Sequence, residues 1–204
     1  MDHLDEYFAK IQKDIEKSEK KREKEQENAT QKEEEEVITQ QEVDKMVKDG
    51  HVTIEDLNLS FEDMSLLDGR LKMKFPKDYF TYHYDEASKI TIYRNAVTDT
   101  NFFINFVAEV KSINMKEIKA NVEKGMTQSE QATKWIEEGS IRIQENAAQY
   151  CACMHPAPED SIFNFMIFIT MKDGFAAMNL NGSYSQFPKW SLIVKAMIKT
   201  MVIN

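Results

Sequence analysis

The segment Ile162–Met171 (IFNFMIFITM) constrains the fold of this chain more than any other stretch of its sequence. Side chains alternate across a β-strand, so residues two positions apart share a face. Both faces of this segment are largely apolar. One face carries Phe163, Phe165, Ile167, Ile169 and Met171, and the other carries Ile162, Met166 and Phe168 with Asn164 and Thr170 between them. Because a strand that is apolar on both sides needs cover on both sides, the sequence predicts a sheet with a layer packed against each face.

The neighbouring sequence predicts three successive antiparallel strands within residues 141–184. We expect the first strand to be interrupted around Ala147 and Ala148. Upstream, Asn114 with Glu117 three residues later matches a capping box, and it predicts a long helix that ends at Gly139 with Trp135 near its end. A final helix begins near Pro188, where a missing N–H has no cost.

The segment between residues 60 and 110 has the alternating pattern of β-strands. Asp68-Gly69 is a strong hairpin signal, and the strand after it ends at Pro76. Further alternating segments run over 80–84, 90–94 and 102–110. We therefore predict an α+β fold in which an antiparallel β-sheet has helices on both faces, a three-layer α/β/α sandwich, preceded by a charged helical N-terminal arm.

The first 50 residues differ from the rest in composition, with 16 acidic and 10 basic side chains and no Gly or Pro before Gly50. Residues 16–36 hold 15 charged side chains and one apolar residue, which is typical of a solvated, partly helical tether. A coiled coil would need apolar positions over several heptads, and these stop after Ile15. A short helix is predicted over 37–48, with Gly50 as its end. We predict an arm over residues 1–50, a linker over 51–65 and a globular domain over 66–204.

One apolar stripe lies at the start of the arm, with four members at helical spacing and Tyr7 beside them. An isolated helix of this length is marginal in water, so it should pack on its own domain, on a second copy of the chain, or on a partner. We predict a partner-binding or oligomerising helix. Its residues are Leu4, Tyr7, Phe8, Ile11 and Ile15.

The charge balance limits the classes of partner. The formal net charge is -9, and no basic stripe is present, which argues against nucleic-acid binding. No stretch has the length of a membrane span, and the acidic start lacks the pattern of a secretory signal. We expect a cytosolic protein without a cofactor, although a leader peptide removed from this sequence would change the expected location.

The order of elements resembles a known superfamily. A short strand that ends in a proline (LKMKFP) precedes several β segments, one long helix, a strand meander and a C-terminal helix with a short apolar tail (SLIVKAMIKTMVI). This order is similar to that of the PsbP-like superfamily, which includes the DcrB-like proteins and the Ran-binding nuclear import factor Mog. The resemblance covers roughly residues 66–204. It implies an accessory or adaptor protein that binds other proteins, and it carries over no functional residue because it rests on no diagnostic motif.

Cys151, Cys153 and His155 share one strand face and are the clearest set of metal-ligand types in the chain. No fourth ligand is apparent, and free cysteine usually behaves as a small buried hydrophobe. Their spacing is also poor for a disulfide, which fits reduced thiols in the cytosol. We favour the structural interpretation and predict no metal site.

The segment 80–86 (FTYHYDE) places tyrosines on one face and His83 on the other. A row of His and Asp beside aromatic residues could line a ligand pocket formed by Tyr82, His83 and Tyr84. A half-exposed strand with its aromatic residues in the core is the commoner structure for such alternation.

No catalytic or nucleotide-binding motif is present, and no nucleophile–base pair can be assembled from the spacing. The sequence therefore favours a non-enzymatic protein-binding accessory or adaptor module, chaperone-like or an assembly factor, whose N-terminal helix recruits another protein or joins copies of the chain. The alternative is a small-molecule or metal-binding protein that uses a pocket at the sheet edge.

Overall fold

The structure is a computed structural model, and it describes residues 38–86, 89–109, 114–127, 133–158 and 160–204, with no side-chain description for 122–127. The apolar stripe predicted at Leu4, Tyr7, Phe8, Ile11 and Ile15 lies outside the described residues, as does the charged run 16–36.

Helix α1 (Gln40–Asp49) forms because its sequence supplies both caps. The Thr39 side chain accepts a hydrogen bond from the backbone N–H of Glu42, the Glu42 carboxylate accepts one from the backbone N–H of Thr39, and Gly50 ends the helix at φ 92°. The helix predicted over 37–48 is thus confirmed. However, Thr39–Asn204 forms one compact unit, so α1 belongs to the globular domain and the predicted arm boundary at residue 50 is wrong.

The predicted linker over 51–65 is also wrong, because this segment forms strands. Strands β1 (His51–Ile54) and β2 (Leu57–Ser60) pair as a hairpin, and β3 (Glu62–Leu66) follows directly. Val52 and Leu59 are almost completely buried. These strands are only four or five residues long and contain no long apolar run. The burial of alternate side chains stabilises them.

The antiparallel strands of the described residues form three sheets. The first is the β1–β2 hairpin. The remaining strands are β4 (Leu71–Phe75), β5 (Tyr82–Glu86), β6 (Ile90–Asn95), β7 (Thr100–Ala108), β8 (Lys134–Ile143), β9 (Asn146–His155), β10 (Ile162–Met171), β11 (Gly174–Ser183) and β12 (Val202–Ile203). In the second sheet β4 lies between β12 and β3, and the third sheet has seven strands in the order β5-β6-β7-β11-β10-β9-β8. An α+β fold built from antiparallel sheets is therefore confirmed.

Strand β10 is an interior strand of the seven-stranded sheet, paired with β9 and β11 over most of its length. The face that carries Phe163 and Phe165 is buried along the whole strand, and we call it the inner face. The opposite face is half-buried at Asn164, Met166 and Phe168. The strand predicted to organise the fold is therefore flanked on both sides, but its two faces are buried to different extents.

Helix α3 (Phe187–Lys199) and the three-stranded sheet cover the inner face. Phe187 of α3 contacts Phe163 with ring centres 5.6 Å apart, and Phe75 of β4 lies 5.1 Å from Phe102 of β7. Trp190 of α3 is 1% exposed. Pro188 stands in the first turn of α3, as predicted. A backbone N–H at that position would have no intrahelical partner, so proline starts the helix without the loss of a hydrogen bond.

Helix α2 (Met115–Thr127) begins at the predicted cap, since the Asn114 side chain accepts a hydrogen bond from the Lys116 N–H at 3.1 Å. The prediction that this helix continues to Gly139 is wrong, because Trp135, Ile136 and Gly139 lie in strand β8. Gly139 pairs with Tyr150, whose ring covers it, and a Cβ at position 139 would lie 2.5 Å from the Tyr150 hydroxyl oxygen. Any side chain at position 139 would therefore displace the Tyr150 ring.

The predicted interruption at Ala147 and Ala148 is wrong as well. Both residues lie within β9, and the chain turns before them at Gln144, which has φ 51°. In contrast, the hairpin predicted at Asp68-Gly69 is confirmed, and Gly69 adopts φ 84° between β3 and β4. Among the described residues no helix combines the length and apolar character that crossing a membrane requires.

Candidate functional site

The half-buried face of the seven-stranded sheet is rich in asparagine, and we call it the amide face. The strand registers align its side chains in rows that cross all seven strands. One such row consists of Tyr82, Arg94, Asn101, Asn181, Asn164, Cys153 and Trp135, and the next consists of Tyr84, Ile92, Phe103, Asn179, Met166, Cys151 and Glu138. The alternation of Asn179 and Asn181 along β11 is visible in the sequence. Their cross-strand neighbours depend on the order of strands in the sheet, so the sequence did not predict these rows.

Hydrogen bonds between amides tie the central strands together on this face. The Asn101 side-chain amide donates to the Asn181 carbonyl oxygen at 3.0 Å, and Asn179 donates in the same way to Asn164 at 2.9 Å. The side-chain oxygens of Asn179 and Gln149 are buried without a hydrogen-bond partner among the described residues. A buried acceptor without a partner loses its hydration, which costs free energy.

Helix α2 contacts the β8 end of the amide face through Lys119. Lys119 forms an ion pair with Glu138 at 3.6 Å, and its ammonium lies 4.9 Å from the centre of the Trp135 ring. In the neighbouring strand β9, Cys151 and Cys153 are 0% and 2% exposed. The amide face is therefore fully buried at these two residues.

The opposite end of the amide face, at β5, is open. Tyr82 and Tyr84 are 54% and 44% exposed, and all five residues of β5 are exposed. Arg94, beside Tyr82 in the same row, is exposed and paired with Asp99 at 3.0 Å. The expectation that the aromatic residues of β5 belong to the core is wrong, because β5 is an edge strand and its tyrosines point away from the inner face.

His83 lies on the opposite side of the sheet from the two tyrosines. Its ring stacks on the buried Tyr93 ring with centres 4.5 Å apart. Burial raises the pKa of Tyr93 to about 12, with smaller contributions from the carboxylates of Asp85 and Glu62. The predicted pocket residues Tyr82, His83 and Tyr84 are therefore divided between two faces and do not line one cavity.

The row Cys151, Cys153 and His155 shares a face, as predicted. The Cys153 sulfur lies 3.7 Å from His155 Nε2, and His155 Nδ1 lies 2.6 Å from the Thr133 hydroxyl oxygen. Burial raises the pKa of Cys151 to about 12 and that of Cys153 to about 11, so both are neutral thiols at neutral pH. Metal ligation and nucleophilic attack both need the thiolate, and in the described part of the chain no three His, Cys, Asp or Glu side chains group as a metal site would require.

A cavity of about 480 Å³ opens at the end of the sheet where β10 begins and β11 ends. Its wall includes the side chains of Asp99, Asp160, Ile162 and Asn181. Ile162 is 42% exposed. The Ser183 hydroxyl donates to the Asp160 carboxylate and lies 2.6 Å from the Ser185 hydroxyl oxygen. The cavity has the size of a small-molecule site, and its polar cluster pairs a serine hydroxyl with a carboxylate.

Comparison with known proteins gives matches in structure only. No protein-family model matches the sequence, and no curated protein matches it. The solution structure of the cyanobacterial PsbP protein CyanoP, from Synechocystis sp. PCC 6803, is similar with a TM-score of 0.56 and 8% sequence identity, over 75% of this chain and 98% of that one.

The second similar structure is that of the Ran-binding protein Mog1p from Saccharomyces cerevisiae. It matches with a TM-score of 0.51 and 11% identity, over 71% of this chain and 96% of that one, and an E-to-A mutant of Mog1 matches with a TM-score of 0.52. The resemblance predicted from the order of elements is therefore confirmed at the level of the fold. This chain has the fold shared by PsbP and Mog1p.

Proposed function

We propose that this chain is a non-enzymatic protein-binding accessory module, and that the open end of the amide face is its contact surface for another protein. The observation that carries the proposal is the exposure of Tyr82 and Tyr84 beside Arg94 on an otherwise half-buried sheet face. Tyrosine and arginine are enriched at protein interfaces and dominate their binding energy. Two adjacent exposed tyrosines, held by a sheet, form a rigid anchor for a partner.

The similar structures support this proposal in a general way. Mog1p is a Ran-binding protein, so the same fold binds a protein partner in at least that case. The proposal includes the three-layer arrangement, with α3 on the inner face and α2 on the amide face, because α2 leaves the β5 end of the amide face accessible.

The proposal also includes the N-terminal arm as the recruiting or oligomerising element. Its stripe at Leu4, Phe8, Ile11 and Ile15 would capture a partner, and the domain would supply the second contact. Two linked contacts raise the apparent affinity without any new interaction. A cytosolic location belongs to the same proposal, and fluorescence imaging of the tagged chain in its own cell tests it.

Affinity capture with the full chain as bait tests the function. We expect one protein whose yield falls at least about tenfold with Tyr82→Ser/Tyr84→Ser, since interface tyrosines each contribute on the order of 1–2 kcal/mol. The matched control is Val97→Ser, which removes an apolar side chain that is 89% exposed but lies outside the face. A second bait that lacks residues 1–38 measures the contribution of the arm.

Two results would contradict the proposal. In one, every captured protein is retained by the tyrosine variant as well as by the control. In the other, the chain captures nothing but converts or binds a small molecule, and Asp99→Ala or Asp160→Ala abolishes that property. The second result would favour the alternative function, a small-molecule site in the cavity at the sheet end.

A further inference from the structure

The two edges of the seven-stranded sheet are built differently. Strand β8, at one edge, carries a register irregularity between Trp135 and Glu137, and Lys119 of α2 contacts its side chains. Bulges and covering helices are common devices that prevent an edge strand from pairing with another chain. Strand β5, at the other edge, pairs with β6 in unbroken register, and all its residues are exposed. Within the described residues, neither a bulge inside Tyr82–Glu86 nor a covering helix protects the β5 edge.

The hydrogen-bonding direction of β5 follows from the ladder beside it. The Phe106 N–H donates to the Lys89 carbonyl oxygen at 2.8 Å, which fixes the residues of β6 that bond to β7. Main-chain direction alternates along an antiparallel strand. Ile90, Ile92 and Arg94 therefore bond to β5. Their partners Glu86, Tyr84 and Tyr82 bond inward, so the N–H and C=O groups of His83 and Asp85 point away from the sheet.

The sequence of β5 is complementary to itself about Tyr84. If a second β5 pairs antiparallel with the first so that Tyr84 faces Tyr84, then His83 faces Asp85 twice, once on each side of the two-fold axis. The outward-pointing groups then form two hydrogen-bonded residue pairs, and the tyrosines form the non-hydrogen-bonded pair between them. An imidazole N–H can donate a hydrogen bond to the carboxylate opposite it, whereas two carboxylates directly opposite each other are destabilising.

Other registers of the two β5 strands are less favourable. A shift of two residues in one direction places Asp85 opposite Asp85, and the same shift in the other direction places His83 opposite His83. A shift of one residue would oppose an outward-pointing group with an inward-pointing one. The Asp85 carboxylate also accepts a hydrogen bond at 2.8 Å from the hydroxyl of Thr91, its neighbour on β6, and this bond restricts the carboxylate.

We propose that this chain forms a symmetric homodimer by antiparallel pairing of β5 with β5 of a second copy, with the two-fold axis at Tyr84 and with His83 opposite Asp85. The pairing uses main-chain groups and the charge pattern of one strand, so it does not depend on the proposed partner protein. It joins two seven-stranded sheets into one and places the two pairs of exposed tyrosines side by side on its amide face. Such a dimer would present two copies of the contact surface.

Cysteine cross-linking tests the register directly. Non-hydrogen-bonded partners in an antiparallel pair have Cα atoms about 4.5 Å apart, within the range of a disulfide. We expect the full chain with Tyr84→Cys to form a covalent dimer under mild oxidation, and the single variants His83→Cys and Asp85→Cys to form little. The native Cys151 and Cys153 are buried and serve as an internal control in the unmodified chain.

Charge substitution tests the same pairing by a reversible measurement. His83→Asp places two like-charged pairs at the interface, and we expect about a tenfold rise in the dimer dissociation constant by analytical ultracentrifugation. Thermal melts of each variant at low protein concentration check that the fold is intact.

Two kinds of result would overturn the proposal. Self-cross-linking through position 83 or 85 but not 84 would overturn the register. A monomer at all concentrations, or a dimer that Tyr84→Cys does not trap, would overturn the dimer. Partner capture by the Tyr82→Ser/Tyr84→Ser variant is scored separately, so the two proposals fail in distinguishable ways.

Discussion

Two phenylalanines of β10 test the difference between the two faces of the sheet. Phe165 is 0% exposed on the inner face and stacks on Tyr150 with ring centres 5.3 Å apart, whereas Phe168 lies half-buried on the amide face. Both are replaced by alanine in the same strand, so the change in strand propensity is the same in both variants. Any difference in stability between the variants then reports the packing of the two faces.

The expected magnitudes follow from burial. Removing a fully buried phenylalanine costs about 3–5 kcal/mol, through lost transfer free energy and the cavity left behind. Phe168 already contacts water, so its removal should cost about 1–2 kcal/mol. For a domain of this size, these values correspond to a fall in Tm of about 10 °C for Phe165→Ala and about 4 °C for Phe168→Ala.

Urea unfolding followed by far-UV circular dichroism, together with calorimetry, measures both quantities. Phe168→Ala and the unchanged chain serve as the references for Phe165→Ala. Equal losses for the two variants, or a larger loss for Phe168→Ala, would refute the assignment of the inner face as the core.

Two further predictions concern particular residues. Burial raises the pKa values of Cys151 and Cys153 to about 12 and about 11, above the ordinary value of 9.0. The unfolded chain therefore loses these protons first, and the free energy of unfolding should fall as the pH rises above 9. In urea titrations at several pH values, Cys151→Ala/Cys153→Ala should remove part of that fall. A pH dependence identical in the double variant would argue against buried neutral thiols. Gly139→Ala should destabilise the chain by about 1–3 kcal/mol, because the new methyl group displaces the Tyr150 ring, and chemical denaturation measures the loss. An unchanged unfolding midpoint would show that the ring moves freely.

The sequence predicted those features of the fold that depend on local chemistry. Gly50 ends a helix because it adopts a positive φ, and Asp68-Gly69 makes a hairpin for a similar reason. Asn114 and Pro188 mark helix starts through their hydrogen-bonding properties. The two-sided apolar pattern of β10 placed it inside a sheet, because water exposure of either face would be costly.

The sequence could not predict features that depend on which strands are neighbours. The segment around Trp135 and Ile136 has apolar spacing that also fits a helix, and pairing with β9 decides for a strand. Alternation along β5 separates Tyr82 and Tyr84 from His83, but it does not say which side is the core. The position of β5 at the sheet edge decides that, and it also leaves the tyrosines exposed.

Site-specific photo-cross-linking tests most directly the central claim that the β5 end of the amide face contacts another protein. A photoreactive amino acid replaces Tyr84 in one full-length chain and Thr170 in another, since both positions are exposed on the amide face but lie on different strands and in different rows. After irradiation in an extract of the source cell, position 84 should yield a cross-linked product that contains a second, different protein. An excess of unlabelled chain should suppress formation of this product. Position 170 should not yield it. The same product from position 170 with none from position 84 would contradict the account.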